Sequence, residues 1–213
     1  MADLLTVLSQ SGTRKSRRAW LLLAIFAVVV VSGLLIARGP GAVRALLDAR
    51  GLEEVEKWSV EIRAAAQEAG VDPELVAGIV YAESRGRVDA VSSADALGLM
   101  QLASSSASDA ARKLKLPPPT RELLLSDGGL NLRLGANHLA WLIQHEGPDL
   151  ERVLAAYNAG RTRVRRWIRE AGSWEAWRDR RDREGDSQVL AYARAVLAAK
   201  AEFERRGRIA ARS

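Results

Sequence analysis

One glutamate in this 213-residue chain is placed to move a proton. Glu83 stands three residues beyond Val80 and four beyond Ile79, so it continues the apolar stripe of Val76, Ile79 and Val80. A carboxyl group on a buried face loses solvation, which raises its pKa, and the negative end of a helix dipole pushes the same way. Such a group holds a proton near neutral pH and can donate it as a general acid. The plain alternative is a last-turn carboxylate that reaches solvent or pairs with Arg85 or Arg87. Spacing by itself leaves both open.

The element that must position Glu83 has clear ends. Asp72 is an N-cap type, Pro73 suits the first helical position, and Glu74 suits the positive dipole end. Gly86 stops the helix just behind the glutamate. Residues 84–92 (SRGRVDAVS) then read as a loop returning over the helix end, followed by the short apolar run Leu97-Gly98-Leu99-Met100-Gln101. The Gln101 amide offers a donor and an acceptor to a sugar hydroxyl or acetamido group. Further on, Tyr157 and Asn158 precede Gly160, where the ring can lie on a sugar face while its hydroxyl or the Asn158 amide bonds to the sugar. A tyrosine and asparagine before glycine are equally a simple helix end without a ligand.

Taken together these segments are specific. ES with its loop, AVS, GLMQ, NLRLGA and AYNAG occur in the order and with the spacing of the soluble-type lytic transglycosylase catalytic domain, which the chain resembles across about 60–200. The resemblance implies an all-α, goose-type lysozyme-like domain in which Glu83 is the only catalytic acid and base. It implies substrate contacts from Ser92, Met100, Gln101, Ala103, Tyr157, Asn158, Gln188 and Tyr192. Asn131 falls on the motif asparagine of the central helix, and His138 stands where an aromatic is frequent.

Most glycosidases use two carboxylates. The other acids near this segment, Asp89 and Asp95, do not fall on catalytic positions of the family. The resemblance implies instead that protonated Glu83 donates to the oxygen between N-acetylmuramic acid and N-acetylglucosamine, with assistance from the muramic acetamido group. Glu83 then takes the C6 hydroxyl proton of the same sugar, and a 1,6-anhydro ring closes without water. Ser92 and Gln101 would hold the acetamido group and neighbouring hydroxyls. Departures from the family pattern lie at Asp95-Ala96, at Ala103-Ser104 in place of methionine and proline, at Gly128 in place of proline, and at Gln188 in place of a glutamate. Ala103 thins the cleft wall, and Gln188 bears on activity or specificity. A muramidase-like hydrolase and a non-catalytic wall-binding or envelope-assembly protein are the alternatives.

Composition agrees with a helical domain: alanine, leucine and arginine dominate and no strand-like alternation persists. There is no cysteine, which excludes a disulfide framework, a thiol nucleophile and a lipidated N-terminal cysteine. The net charge of +6 suits nucleic acid, anionic lipid or an anionic polymer such as the wall glycan, and charge alone does not choose among them. No nucleic-acid recognition motif accompanies the arginines at 161, 163, 165, 166 and 169, which read as a solvated face. His138 and His145 are seven residues apart on a helix, too far to chelate one ion, so neither a metal nor a cofactor is expected.

Arg14, Lys15, Arg17 and Arg18 precede nineteen uncharged residues, Ala19 to Ala37. That pattern predicts one N-terminal transmembrane helix with residues 1–18 in the cytoplasm and the domain in the periplasm, held at the inner membrane. A cleaved signal peptide is the alternative. Residues 16–21 also have the form of a twin-arginine export signal. Residues 38–57 read as a linker, 58–204 as the catalytic domain and 205–213 as a flexible tail. Within the domain, helices are expected at 58–69, after Asp72, from 104 with Ser106 and Asp109 as a capping box, over 127–145, after Asp149, from Thr162, and over 188–203; residues 174–186 are expected to be exposed. Peptidoglycan strands are the expected partner. Routine wall turnover and local wall opening for an envelope or secretion machinery are not separated by sequence.

Overall fold

The computed structural model describes residues 39–185 and 187–210. The predicted transmembrane segment, 19–37, lies outside the described residues. Among the described residues no helix is long and apolar enough to cross a membrane. The chain divides into compact units at Ala49 and Arg50. Of the first unit only residues 39–49 are described, and they are helical.

The second unit holds the site and is built of helices. In chain order the described elements are α1 (Gly39–Glu56), of which the residues from Arg50 on belong to this unit, α2 (Ser59–Ala69), α3 (Pro73–Ser84), α4 (Ser104–Lys113), α5 (Arg121–Ser126), α6 (Gly128–Glu146), α7 (Leu150–Ala159), α8 (Arg161–Ala171), α9 (Trp174–Glu184) and α10 (Gln188–Arg206). Outside the helices, antiparallel bridge pairs join Leu97 to Val91 and to Leu102. The all-α expectation holds among the described residues.

Helix α6 is the central element, packed against α2, α4, α5 and α7. Its stripe of Leu132, Leu134, Ala136, Leu139 and Leu142 is buried, the broad apolar surface that a central helix needs. Helix α10 lies along α3 and α7. It comes close to α3 at Gly78, where an added Cβ would stand 2.7 Å from the Val196 carbonyl oxygen. The missing side chain therefore lets the α10 backbone settle directly on α3.

Several helix starts follow their caps. Asp72 accepts from the N–H groups of Glu74 and Leu75, Asp127 from Leu130, and Asp149 from Arg152. Others differ. Helix α4 begins at Ser104 behind extended Ala103 without a side-chain cap, because the 97–102 turn delivers the backbone there; Asp109 pairs with Arg112 at 3.0 Å. Helix α8 starts at Arg161 behind Gly160, one residue before the expected Thr162 cap. Helix α5, capped by Thr120, follows the proline run and was not expected from periodicity, since six residues are too few to show it.

Two boundaries are corrected. The supposed linker 38–57 ends inside the domain, where Leu52 and Val55 are buried in the core. The supposed tail is packed as far as it is described: α10 runs to Arg206, Ile209 is fully buried, and its carbonyl accepts from Arg63 Nη1 at 2.8 Å. Arg206 and Arg208 both pair with Glu56 of α1. Residues 174–186 are likewise not simply exposed. Trp174 and Trp177 are buried, and the Trp177 ring stacks on Trp167 at 4.9 Å.

Candidate active site

Glu83 is the penultimate residue of α3, half-buried. Burial pushes its carboxyl up to about 7, against the opposing pull of a hydrogen bond from Tyr192. Tyr192 lies on α10 and donates to Glu83 Oε1 at 2.7 Å. Contact between α3 and α10 across Gly78 is what brings these two residues together over 109 positions of sequence. Tyr157, near the end of α7, donates to the Met100 carbonyl at 2.8 Å. Burial raises both phenols well above their usual range, and the charge of Glu83 adds to the rise in each. A carboxyl group flanked by two tyrosines is the centre of the site. The solvent-exposed or arginine-paired alternative for Glu83 is not what the fold adopts.

The loop over the helix end is tied down by buried polar groups. Ser84, the residue after the acid, is buried and donates to the Leu99 carbonyl at 2.8 Å. Asn131 of α6 is fully buried and satisfied on both sides of its amide. Its nitrogen donates to Leu97 and Leu124 carbonyls, and its oxygen accepts from Met100 N–H at 2.9 Å. Gly98 has φ +77°, and a Cβ there would fall 2.1 Å from Asn131 Nδ2. Only glycine allows the turn to reach the asparagine. Sequence alone gave neither Ser84 nor Asn131 a role at the site, although both sit inside the quoted motifs.

The remaining expected residues divide sharply. Ser92 is half-buried, and its oxygen accepts from the N–H groups of Ala94 and Ala96, so it shapes the loop. Gln101, at φ +47°, donates both amide hydrogens to the carbonyls of Ala90 and Gly98. What it can offer a ligand is its carbonyl oxygen. Met100 is corrected: its side chain is fully buried, with the sulfur against Gly135 of α6, and only its backbone carbonyl serves the site through Tyr157. A five-residue apolar run reads the same whether it lines a cleft or plugs a core, and here the core takes it. Ala103, Asn158 and Gln188 are exposed.

No second carboxylate faces Glu83 from the neighbouring loop among the described residues. Asp89 is exposed, and Asp95 is exposed and ion-paired with Arg121. Beyond Tyr157 the surface continues in aromatic rings. His138 lies 5.6 Å from Tyr157 and 6.1 Å from Trp141. Burial lowers the His138 ring to about 4, so it is neutral at physiological pH. A cavity of about 250 Å³ beside it is lined by Asp109, Arg112, Lys113, His138 and Trp141.

The arginines of α8 are also corrected in part. Glu146, at the end of α6, is buried with no side-chain exposure and is bound by Arg152 at 2.9 Å, Arg161 at 2.6 Å and Arg165 at 3.2 Å. Burial alone would raise this carboxyl, yet the three guanidinium groups hold it below its ordinary range. Two of the arginines read as solvated are thus structural.

Residues 61–179 match the family described as Transglycosylase SLT domain. Membrane-bound lytic murein transglycosylase C of Salmonella typhimurium is 37% identical over 117 residues, 51% of this chain and 32% of that protein. Endo-type membrane-bound lytic murein transglycosylase A of Salmonella enteritidis is 42% identical over 82 residues, 37% of this chain and 38% of the relative. Among solved structures, an inactive mutant of lytic transglycosylase Slt from Pseudomonas aeruginosa superposes with a TM-score of 0.61 at 25% identity, over 70% of this chain and 24% of that one. The 70-kDa soluble lytic transglycosylase in complex with bulgecin A gives 0.62 at 25% identity, with the same coverage. The chain therefore spans about a third of the length of these curated relatives and about a quarter of the solved chains.

Proposed function

The chain belongs to the transglycosylase SLT domain family, and from that premise we propose that it is a peptidoglycan lytic transglycosylase with Glu83 as its single acid and base. The observation that carries the reading is the state of Glu83: half-buried, held by Tyr192 and raised to about 7. At neutral pH a sizeable fraction of such a group is protonated, and it is basic enough to recover a proton within the same cycle. Tyr192 occupies Oε1, which leaves Oε2 to face substrate.

The reaction balances on this one group. The Glu83 proton passes to the bridging oxygen as the bond from muramic C1 to that oxygen breaks. The acetamido oxygen of the muramic sugar shields C1. The C6 oxygen then bonds to C1 while its proton returns to Glu83. Neither water nor a second carboxylate is consumed, which agrees with the exposure of Asp89 and the ion pair of Asp95. The chain contributes placement: Tyr157 and the Gln101 carbonyl oxygen line the approach, and Asn131 and Ser84 keep the loop that carries Gln101 from shifting. Holding a sugar in attack geometry is where such an enzyme gains rate.

Residues 19–37 are read as a membrane anchor that holds the domain in the periplasm, consistent with relatives named as membrane-bound. The test is digestion of purified peptidoglycan by the full-length protein in detergent, beside Glu83→Gln. Release of soluble muropeptides by the wild type alone, with both proteins sedimenting equally with the wall, is the expected result. Equal release by the variant would remove Glu83 as the acid, and release by neither would remove the enzyme and leave a wall-binding protein.

A further inference from the structure

Helix α8 opens on a concavity of about 460 Å³ that starts at Ala159 and Gly160 and is walled by Arg161, Arg163, Arg166 and Arg169. The four arginines are not equivalent. Arg161 is spoken for: its Nε lies 2.6 Å from buried Glu146, and its guanidinium sits 5.2 Å above the Trp141 ring. Arg166 reaches Glu170 only at 3.8 Å on an exposed turn, a contact of little energy. Among the described residues, no carboxylate lies within ion-pair distance of Arg163 or Arg169. Arg163, Arg166 and Arg169 recur every third residue, so they share one exposed stripe, while Val164 behind them is buried in the core.

Positive charge accumulates here with only Glu146 and Glu170 to offset it. The first turn of α8 has no acidic residue and no side-chain cap, so the positive helix end adds to the guanidinium groups. Concave surfaces of one sign concentrate anions, and guanidinium groups bind carboxylates through paired hydrogen bonds. The concavity also begins directly after Tyr157 and Asn158.

We propose that this concavity is an accessory anion subsite that receives the carboxylates of peptidoglycan stem peptides, so that the protein favours peptide-bearing glycan over bare glycan. The inference rests on the reading of Glu83 as a wall-cleaving acid. Placement favours a peptide over a membrane surface: Arg161 of the cavity wall sits over Trp141, which stacks on His138, and His138 in turn lies against Tyr157.

The test compares the full-length protein with Arg163→Glu/Arg166→Glu/Arg169→Glu, keeping Arg161 because it neutralises Glu146. The substrates are glycan strands with stem peptides and the same strands stripped by an amidase. On peptide-bearing strands kcat/KM of the variant should fall roughly tenfold or more, mostly through KM, as loss of charge-assisted contacts requires. On stripped strands the two proteins should match. In a Glu83→Gln background, sedimentation with peptide-bearing wall should weaken with salt for the parent and be weak at all salt concentrations for the charge-reversed form. Equal kinetics on both substrates, or equal loss on both, overturns the subsite. If the wild type turns over neither strand, the reading of Glu83 fails and sedimentation alone decides the subsite. Unchanged wall binding with lost binding to phosphatidylglycerol vesicles would assign the cavity to a membrane instead and overturn the proposal. An Arg163→Gln/Arg166→Gln/Arg169→Gln form repeats the comparison if charge reversal disturbs folding.

Discussion

Two opposing influences act on the Glu83 proton, and each belongs to an identifiable group. Burial favours the neutral acid, while the Tyr192 hydroxyl at 2.7 Å favours the carboxylate left after donation. Because the proposed step needs protonated Glu83, kcat/KM should be level below pH about 7 and fall as pH rises through that value. Tyr192→Phe removes the donor that stabilises the carboxylate. The descending limb should then move to higher pH while the plateau drops roughly tenfold from lost positioning. A pH series of initial rates on soluble glycan reads both changes, and a limb that stays put or moves down would show that Tyr192 does not tune the acid. At this scale sequence was informative about the acid and less so about its helpers. Glu83 sits on a legible stripe, whereas Tyr192 reaches it only through a contact made 109 residues away. Met100 and Gln101 show the opposite failure: their types suit a cleft, but the positive φ of Gly98 turns the run inward, and the Met100 side chain and the Gln101 amide hydrogens are spent on the protein itself.

Helices position these groups through two close contacts. At Gly78 an added Cβ would press on the Val196 carbonyl, so Gly78→Ala should displace α10 from α3. Overpacking of that kind costs about 1–3 kcal/mol, and activity should fall more than stability because the shift separates Tyr192 from Glu83. Urea unfolding alongside turnover measures the two effects separately; an unchanged rate would disconnect the helix contact from the site. At the junction of α6, α7 and α8, Glu146 binds three arginines. Glu146→Ala leaves those cations facing one another in a part-buried pocket and should cost about 3–5 kcal/mol, seen as a lowered urea midpoint. A loss below about 1 kcal/mol would mean the cluster is solvated in practice. Helix starts at Asp72, Asp127 and Asp149 were legible because each cap is local chemistry. The burial of Glu146 was not, since a charged residue at a helix end looks the same until its partners fold onto it.

For the domain as a whole, an acid kept half-buried for function weakens the fold once it ionises. The folded pKa of Glu83, about 7, lies above its ordinary value of 4.5. The unfolded chain therefore loses this proton first as pH rises. Stability from the neutral group is full below about pH 4.5, declines above it and is gone once the folded pKa is passed. Glu83→Gln removes that dependence. Its advantage over the wild type should grow from near zero at pH 4 to on the order of 3 kcal/mol at pH 8. Chemical denaturation at the two pH values checks the difference, and an equal effect at both would mean Glu83 ionises freely in the fold. Whole-chain architecture was partly legible as well. Caps and stripes gave an all-helical domain, but its edges were misplaced on both sides because Leu52, Val55 and Ile209 are single apolar residues in charged surroundings that only the assembled core reveals.

The central claim is that one carboxylate moves both protons and no water enters. Digesting peptidoglycan in water enriched in oxygen-18 and weighing the released muropeptides by mass spectrometry tests it directly. The expected result is 1,6-anhydro ends without the heavy isotope from the wild type, and no products from Glu83→Gln. Reducing ends carrying oxygen-18 would contradict the account, because they require a water that the proposed mechanism excludes.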